Sequence, residues 1–277
     1  MVLNRVNKKK RTLSVPFPWL SVAVLGLVAL GCVFHKQLMR FDPSYIDLYH
    51  AYSPPGRVYW FGTDSMGRDL FSMIWQGGLI SLAIGVSSAL VSGAAGILLG
   101  VLAGLAPKRL DGLFLKLMEV FLSIPTLLLV VLVQSLFSSA SVLSLCLVIG
   151  LTSWPSLALM VRMQVRQLRQ ELFYKSACAM GAGGWHLLRY HLLPHLAPSA
   201  IYMTIMEVRS AIIYESTLSF MGLGIPIEVL SWGSMLSMAD QAFLSNAWWI
   251  MIVPGLFLVG IMVCLTQIGE YIRFCLS

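Results

Sequence analysis

Several stretches of this 277-residue chain carry no charge over lengths that can cross a bilayer, and this limits its fold more than any other feature. A span needs about 20 mostly apolar residues. Residues 12–34 carry no charge, nor do residues 70–107, whose best span is 78–105. Residues 120–161 are also uncharged, but one helix of that length would measure about 63 Å, twice a hydrocarbon core. The Ser138-Ser139-Ala140-Ser141 cluster is the natural turn that divides it. Two further spans follow, at 199–219 and 247–268. The sequence therefore predicts an all-α membrane protein with six transmembrane helices, at 15–34, 78–105, 117–137, 142–161, 199–219 and 247–268. A mean hydropathy of +0.81 excludes a soluble domain.

The basic residues set the orientation. Fourteen of the 19 Lys and Arg fall in the tail 1–14, the connection 106–116, the loop 162–198 or the C-terminus. The reading is a multi-pass protein with both termini in the cytoplasm. The net charge of +7 is then a topological signal, which argues against a nucleic-acid partner and leaves lipid as the surroundings. A basic run before an apolar one resembles a signal peptide. No small-residue cleavage site follows it, so an uncleaved first helix is expected. The five scattered cysteines show neither a disulfide framework nor a CxxC metal site.

Between its spans the chain has two long outer loops, 35–77 and 220–246, punctuated by Pro and Gly. No internal repeat is visible, which weighs against a secondary transporter built from inverted repeats. Gly96, Gly100 and Gly104 recur every fourth residue, extended by Ser92, and such a stripe serves close helix packing within the subunit.

The basic loop 162–198 carries five Lys/Arg and three His. Residues 162–180 are expected to be helical, with Arg162, Arg166 and Arg169 along one cationic face. The Gly181, Gly183 and Gly184 cluster then turns the chain. A second short helix runs from Trp185 until Pro194 and Pro198 close it. Together they form a knob able to press into a partner's groove. His186, His191 and His195 do not make a metal site, because Pro194 interrupts their helix and no thiolate or carboxylate joins them.

Ser176-Ala177, Gly181, His191, Leu193 and Pro194 have the spacing of the EAA loop of ABC importer permeases, which this segment resembles. In that family the loop docks on the cytoplasmic ATPase as a coupling helix. The family's Glu-Ala-Ala is Lys175-Ser176-Ala177 here, which inverts the charge and implies either a matching acid on the ATPase or a weaker contact. Two more segments resemble one branch of the family, the dipeptide, oligopeptide and nickel permeases. Trp60-Phe61-Gly62-Thr63-Asp64-Ser65-Met66-Gly67-Arg68-Asp69 resembles its FGTDxxGRD signature, and Asp64, Arg68 and Asp69 can form a salt-bridged turn over the outer end of the second span. Glu215-Ser216-Thr217-Leu218-Ser219-Phe220-Met221-Gly222-Leu223-Gly224, with Ser231-Trp232-Gly233, resembles its ExxLSFxGLG…WG pattern.

The resemblance implies a type I ABC importer permease of the C-type, located in a prokaryotic inner membrane. Its implied partners are a B-type permease forming a heterodimer, one or two ABC ATPase subunits and an extracytoplasmic solute-binding protein. The chain has no Walker-type glycine loop, so it binds no cofactor itself and ATP-Mg belongs to the ATPase. Peptides are the implied cargo; nickel or a metal–chelator complex is the alternative. An ion-driven secondary transporter is the remoter alternative, and no nucleophile–base pair, aspartate pair or HExxH set supports an intramembrane enzyme.

The fifth span is unusual in carrying Glu207, Arg209 and Glu215, each costing about 2.5 kcal/mol or more at mid-bilayer unless it faces protein or water. Glu207, Ala211 and Glu215 share one helical face, which is expected either to line the passage between two permeases or to pair charges across their interface.

Overall fold

The computed structural model describes residues 16–137, 141–226, 228–239, 242 and 245–276. The basic tail at 1–14, the first three residues of the Ser-rich turn and Asp240 lie outside the described residues. Four of the six expected spans are single helices of 27 to 37 residues, long and apolar enough to cross a membrane. Helix α1 (Trp19–Val33) has only 15 residues, short of the usual span. It packs on the first and last of the long helices.

Helix α2 (Leu70–Leu105) uses almost the whole uncharged run and reaches about 54 Å. It begins eight residues before the expected span because Asp69 caps it, accepting from the Ser72 amide. It stops where Pro107 forces Ala106 out of helical geometry, at ψ 151°.

The expected span 117–137 is not one helix. Helices α3 (Lys108–Ser123) and α4 (Thr126–Ser135) meet at a bend of 89°. Pro125 lacks an amide to donate and holds Ile124 extended, at ψ 129°. A count of charge-free residues cannot see that break. Helix α5 (Val142–Leu168) starts on a Ser141/Ser144 capping box and contains Pro155.

The predicted helix over 162–180 is likewise divided: α5 ends at Leu168, and α6 (Leu172–Ala179) follows after a turn. Beyond it the prolines do not close a helix. A π turn (Leu187–Leu192) feeds directly into α7 (Leu193–Phe220), with Pro194 in the first turn and Pro198 inside. Proline at a helix start sacrifices no bond, and the wider π turn resets the bonding pattern just before it. Short α8 (Trp232–Ser237) lies in the 220–246 loop, and α9 (Trp249–Leu276) ends the chain.

Helix α2 is central, packed along α5 and α7. The glycine stripe is the seam. A Cβ on Gly96 would meet Leu157 Cδ2 at 2.6 Å, one on Gly100 the Ala158 carbonyl oxygen at 2.6 Å, and one on Gly104 Val165 Cβ at 2.6 Å. Without a hydrophobic drive between helices in lipid, such close backbone approach is what holds them together.

Gly100→Leu should therefore overpack the α2–α5 seam at a cost of about 1–3 kcal/mol. The check is thermal unfolding in detergent, with Gly112→Ala as control, since nothing lies within 4 Å of a Cβ there. Equal melting temperatures for both variants would contradict the packing.

Candidate functional site

Four carboxylates are buried among the described residues; Asp69 caps α2, and the other three are each held by three or four donors. The first is in the outer turn. Asp64 is 0% exposed and accepts from the amides of Met66 (2.9 Å) and Arg68 (2.8 Å) and from Arg68 Nε (2.7 Å). Buried Thr63 bridges the His50 carbonyl and the Ser53 amide, and its own carbonyl accepts from the Trp249 indole at 3.0 Å. Gly67 sits at φ +74° against the Asp47 backbone, where a Cβ would lie 1.8 Å from the Asp47 carbonyl oxygen. Gly62 is also left-handed, at φ +78°. Asp69, capping α2, completes the turn. The signature residues thus fasten the 35–69 loop to α2 and α9, and Thr63, Asp64 and Asp69 are buried in doing so.

The second is Glu215, 0% exposed on α7. Its Oε1 accepts from Ser219 (3.0 Å) and Ser231 (2.7 Å), and its Oε2 from Ser81 (3.0 Å) and Ser216 (3.3 Å). Ser81 also accepts the Trp232 amide at 3.1 Å, and the Trp232 indole donates to the Ile74 carbonyl at 3.0 Å. One side chain therefore joins α2, α7 and the start of α8. Ala211, one turn before it, is 2% exposed. These two residues are interior to the subunit and do not line an open passage; burial against α2 and the 220–231 loop removes them from the face expected at 207–215.

The third is Asp111 on α3. It accepts from Arg162 Nε at 2.5 Å and Nη2 at 2.7 Å, and its second oxygen lies 2.7 Å from Arg166. Arg169 donates to the Gly104 carbonyl at 2.9 Å, at the C-terminal end of α2, where a cation is favoured. The cationic face expected on 162–169 is thus spent inside the subunit, clamping α5 to α2 and α3. Sequence reasoning missed Asp111, although it is one of only 12 acids in the chain and falls within a basic stretch. The Arg162 guanidinium bonded to Asp111 holds its carboxyl below the usual carboxylate range against the effect of burial, and Arg166 adds to this.

Beyond this clamp lies the knob. Gly181 turns the chain at φ +84°, and the Ala182 amide caps α6 on the Ala177 carbonyl at 3.0 Å. Of the residues singled out there, Lys175, Ser176, Gly181, Leu193 and Pro194 are exposed, His191 is half-buried and Ala177 is buried. Leu172, Met180, Trp185 and Tyr190 give the knob an exposed apolar surface. Phe173 stacks on the His195 ring at 4.9 Å and lies 6.0 Å from that of His191, joining α6 to the base of α7.

Glu207 stands apart. It lines a cavity of ≈ 130 Å³ with Thr126, Thr152, Ser153, Ser156, Ser210 and Tyr214. The cavity lies where the α3–α4 break meets Pro155 of α5 and the mid-portion of α7, so two proline defects open it. Arg209 turns the other way and donates to Thr266 of α9 at 3.2 Å. Larger hollows, such as one of ≈ 410 Å³ between Ile97 and Ile205, have mostly apolar walls.

The family model for binding-protein-dependent transport system inner membrane components matches residues 96–274. A putative peptide permease protein of Brucella suis biovar 1 (strain 1330) is 35% identical over 257 residues, covering 91% of this chain and 85% of the relative. The dipeptide transport system permease protein of Bacillus subtilis (strain 168) is 33% identical, over 99% of this chain and 83% of its own. A probable D,D-dipeptide transport system permease protein of Escherichia coli (strain K12) is 31% identical, over 93% and 86%. Among solved structures, an inward-facing conformation of the MetNI methionine ABC transporter superposes with a TM-score of 0.59 over 73% of this chain and 95% of that one, at 18% identity. That likeness shows the fold, a type I ABC importer permease. The chain belongs to the family of binding-protein-dependent transport system inner membrane components.

Asp111→Asn should destabilise the protein by roughly 1.5–3 kcal/mol, the worth of charge-assisted hydrogen bonds. Because the folded protein lowers the Asp111 value, the advantage of the wild type is fully present above the ordinary carboxylate range and is lost as pH falls through the lowered value. The melting-temperature gap between wild type and variant should hold steady down to about pH 5 and close below about pH 4. A gap independent of pH would contradict the clamp.

Proposed function

We propose that this chain pairs with a second, B-type permease to form the passage of an ATP-driven peptide importer. One or two separate ATPase subunits work the passage through the 162–198 knob, and a solute-binding protein delivers cargo to the outer loops. Both termini and the knob then lie in the cytoplasm, in keeping with the placement of the basic residues. ATP hydrolysis belongs to the ATPase chain, and this chain contributes the path. The relatives described above are named for peptides or dipeptides, which supports that cargo over nickel.

The observation that carries the reading is mechanical. The knob is built on the end of α5 and the start of α7, and the same two helices supply most of the polar side chains around Glu207. The Asp111 clamp and the Phe173 stack make knob and helix ends one unit, so a push on the knob moves the cavity walls. Nucleotide binding to the ATPase would then favour one arrangement of the helices over the other, and only through differential contact at the knob. The exposed Lys175 places a positive charge on that surface, so the facing ATPase surface is expected to carry an acid there.

Reconstituted with its partner permease, ATPase and binding protein, the chain should import trialanine only with ATP present. Uptake by this chain alone under an ion gradient would contradict the reading. At the knob, Gly181→Val should reduce co-purification of the ATPase at least tenfold while membrane insertion is unchanged. The cause is strain at φ +84° with no steric crowding, since nothing lies within 4 Å of a Cβ there. Gly181→Asn should lose less, because asparagine tolerates that region. Unchanged co-purification of both variants would remove the knob from the interface.

A further inference from the structure

We propose that Glu207 and the hydroxyl-lined cavity around it bind a cationic ammonium group of the passing cargo, such as the α-amino end of a peptide. This rests on the permease reading above and adds to it a recognition site within the passage.

The chemistry of the cavity is one-sided. Glu207 is the only charged side chain among its lining residues. Six hydroxyl side chains surround it, and they are neutral groups able to accept hydrogen bonds from an N–H. Thr152 already donates to its own helix, to the Val148 carbonyl at 2.8 Å, which leaves its oxygen lone pairs for an incoming donor. The buried Ser153 hydroxyl in the wall has no partner among the described residues, a situation that an occupant of the cavity accounts for. The volume of ≈ 130 Å³ suits an ammonium group and its adjoining carbon, with or without a water.

Glu207 itself is the decisive contrast. Asp64, Asp111 and Glu215 each take three or four donors from this chain, whereas Glu207 shows no hydrogen bond or ion pair to any described residue. The nearest cation in sequence, Arg209, is committed to Thr266 on α9. A carboxylate in hydrocarbon without partner or water is costly, so its persistence in a polar hollow points to a counter-charge arriving from outside the chain. An anionic group would be repelled there, and the site would hold the amino end of a peptide while leaving its carboxyl end elsewhere.

The test uses the whole importer reconstituted in liposomes, with trialanine and N-acetyl-trialanine as probes, each supplied above its Kd for the binding protein. Wild type should carry trialanine in preference. Glu207→Gln should lower the selectivity ratio at least tenfold, Glu207→Asp should retain part of it, and both variants should still co-purify with the second permease. An unchanged ratio, or equal loss for both probes, would overturn the site. Loss of co-purification in Glu207→Gln would also overturn it, by assigning the carboxylate to an ion pair across the permease interface. If the wild-type importer carries neither probe, the peptide reading and this occupant fall together; if it carries trialanine and only the contrast fails, the peptide reading stands.

Discussion

Polar groups removed from water must find their partners inside the protein, and three buried carboxylates of this structure meet that requirement in three different ways. Hydroxyls saturate Glu215, guanidinium groups hold Asp111, and a tight turn enfolds Asp64. Each satisfied carboxylate joins elements that apolar packing alone would leave free to slide. Glu215 joins α2, α7 and the outer loop; Asp111 joins α3 and α5; the Asp64 turn closes the 35–69 loop over α2 and α9. In lipid the glycine seam between α2 and α5 gives contact, whereas the polar knots give register.

The same logic separates structure from function. A carboxylate bound by several donors is a fastener, because removing it would leave each of those donors without a partner. Glu207 lacks such partners among the described residues and lines a polar hollow beside the α3–α4 break and Pro155. The α5 and α7 helices run from that hollow to the knob, so in the proposed function the contact with the motor and the contact with the cargo fall on the same two rods.

Much of this was legible in the sequence, and the failures have physical causes. The apolar runs locate the long helices, and the order of motifs identifies the family. Length alone hid the break at Pro125, since a proline inside an uncharged run changes direction without changing composition. Pro194 and Pro198 signal a stop in the sequence, but a π turn upstream lets the helix run through them. Helical spacing puts Glu207, Ala211 and Glu215 on one face, yet spacing cannot tell which part of a face is covered. The loop carrying Ser231 covers Glu215 and leaves Glu207 open. In sequence Arg162, Arg166 and Arg169 form only a cationic face, because their partners, Asp111 and the Gly104 carbonyl, are distant in the chain.

The central claim is that the knob faces a motor in the cytoplasm. Cys178, exposed on α6 within the knob, offers the most direct measurement: labelling by a membrane-impermeant maleimide in a Cys275→Ser background. The account predicts reaction in inverted vesicles stripped of ATPase, protection when the ATPase is restored, and no reaction in right-side-out spheroplasts. Labelling from the outer face, or labelling indifferent to the ATPase, would contradict it.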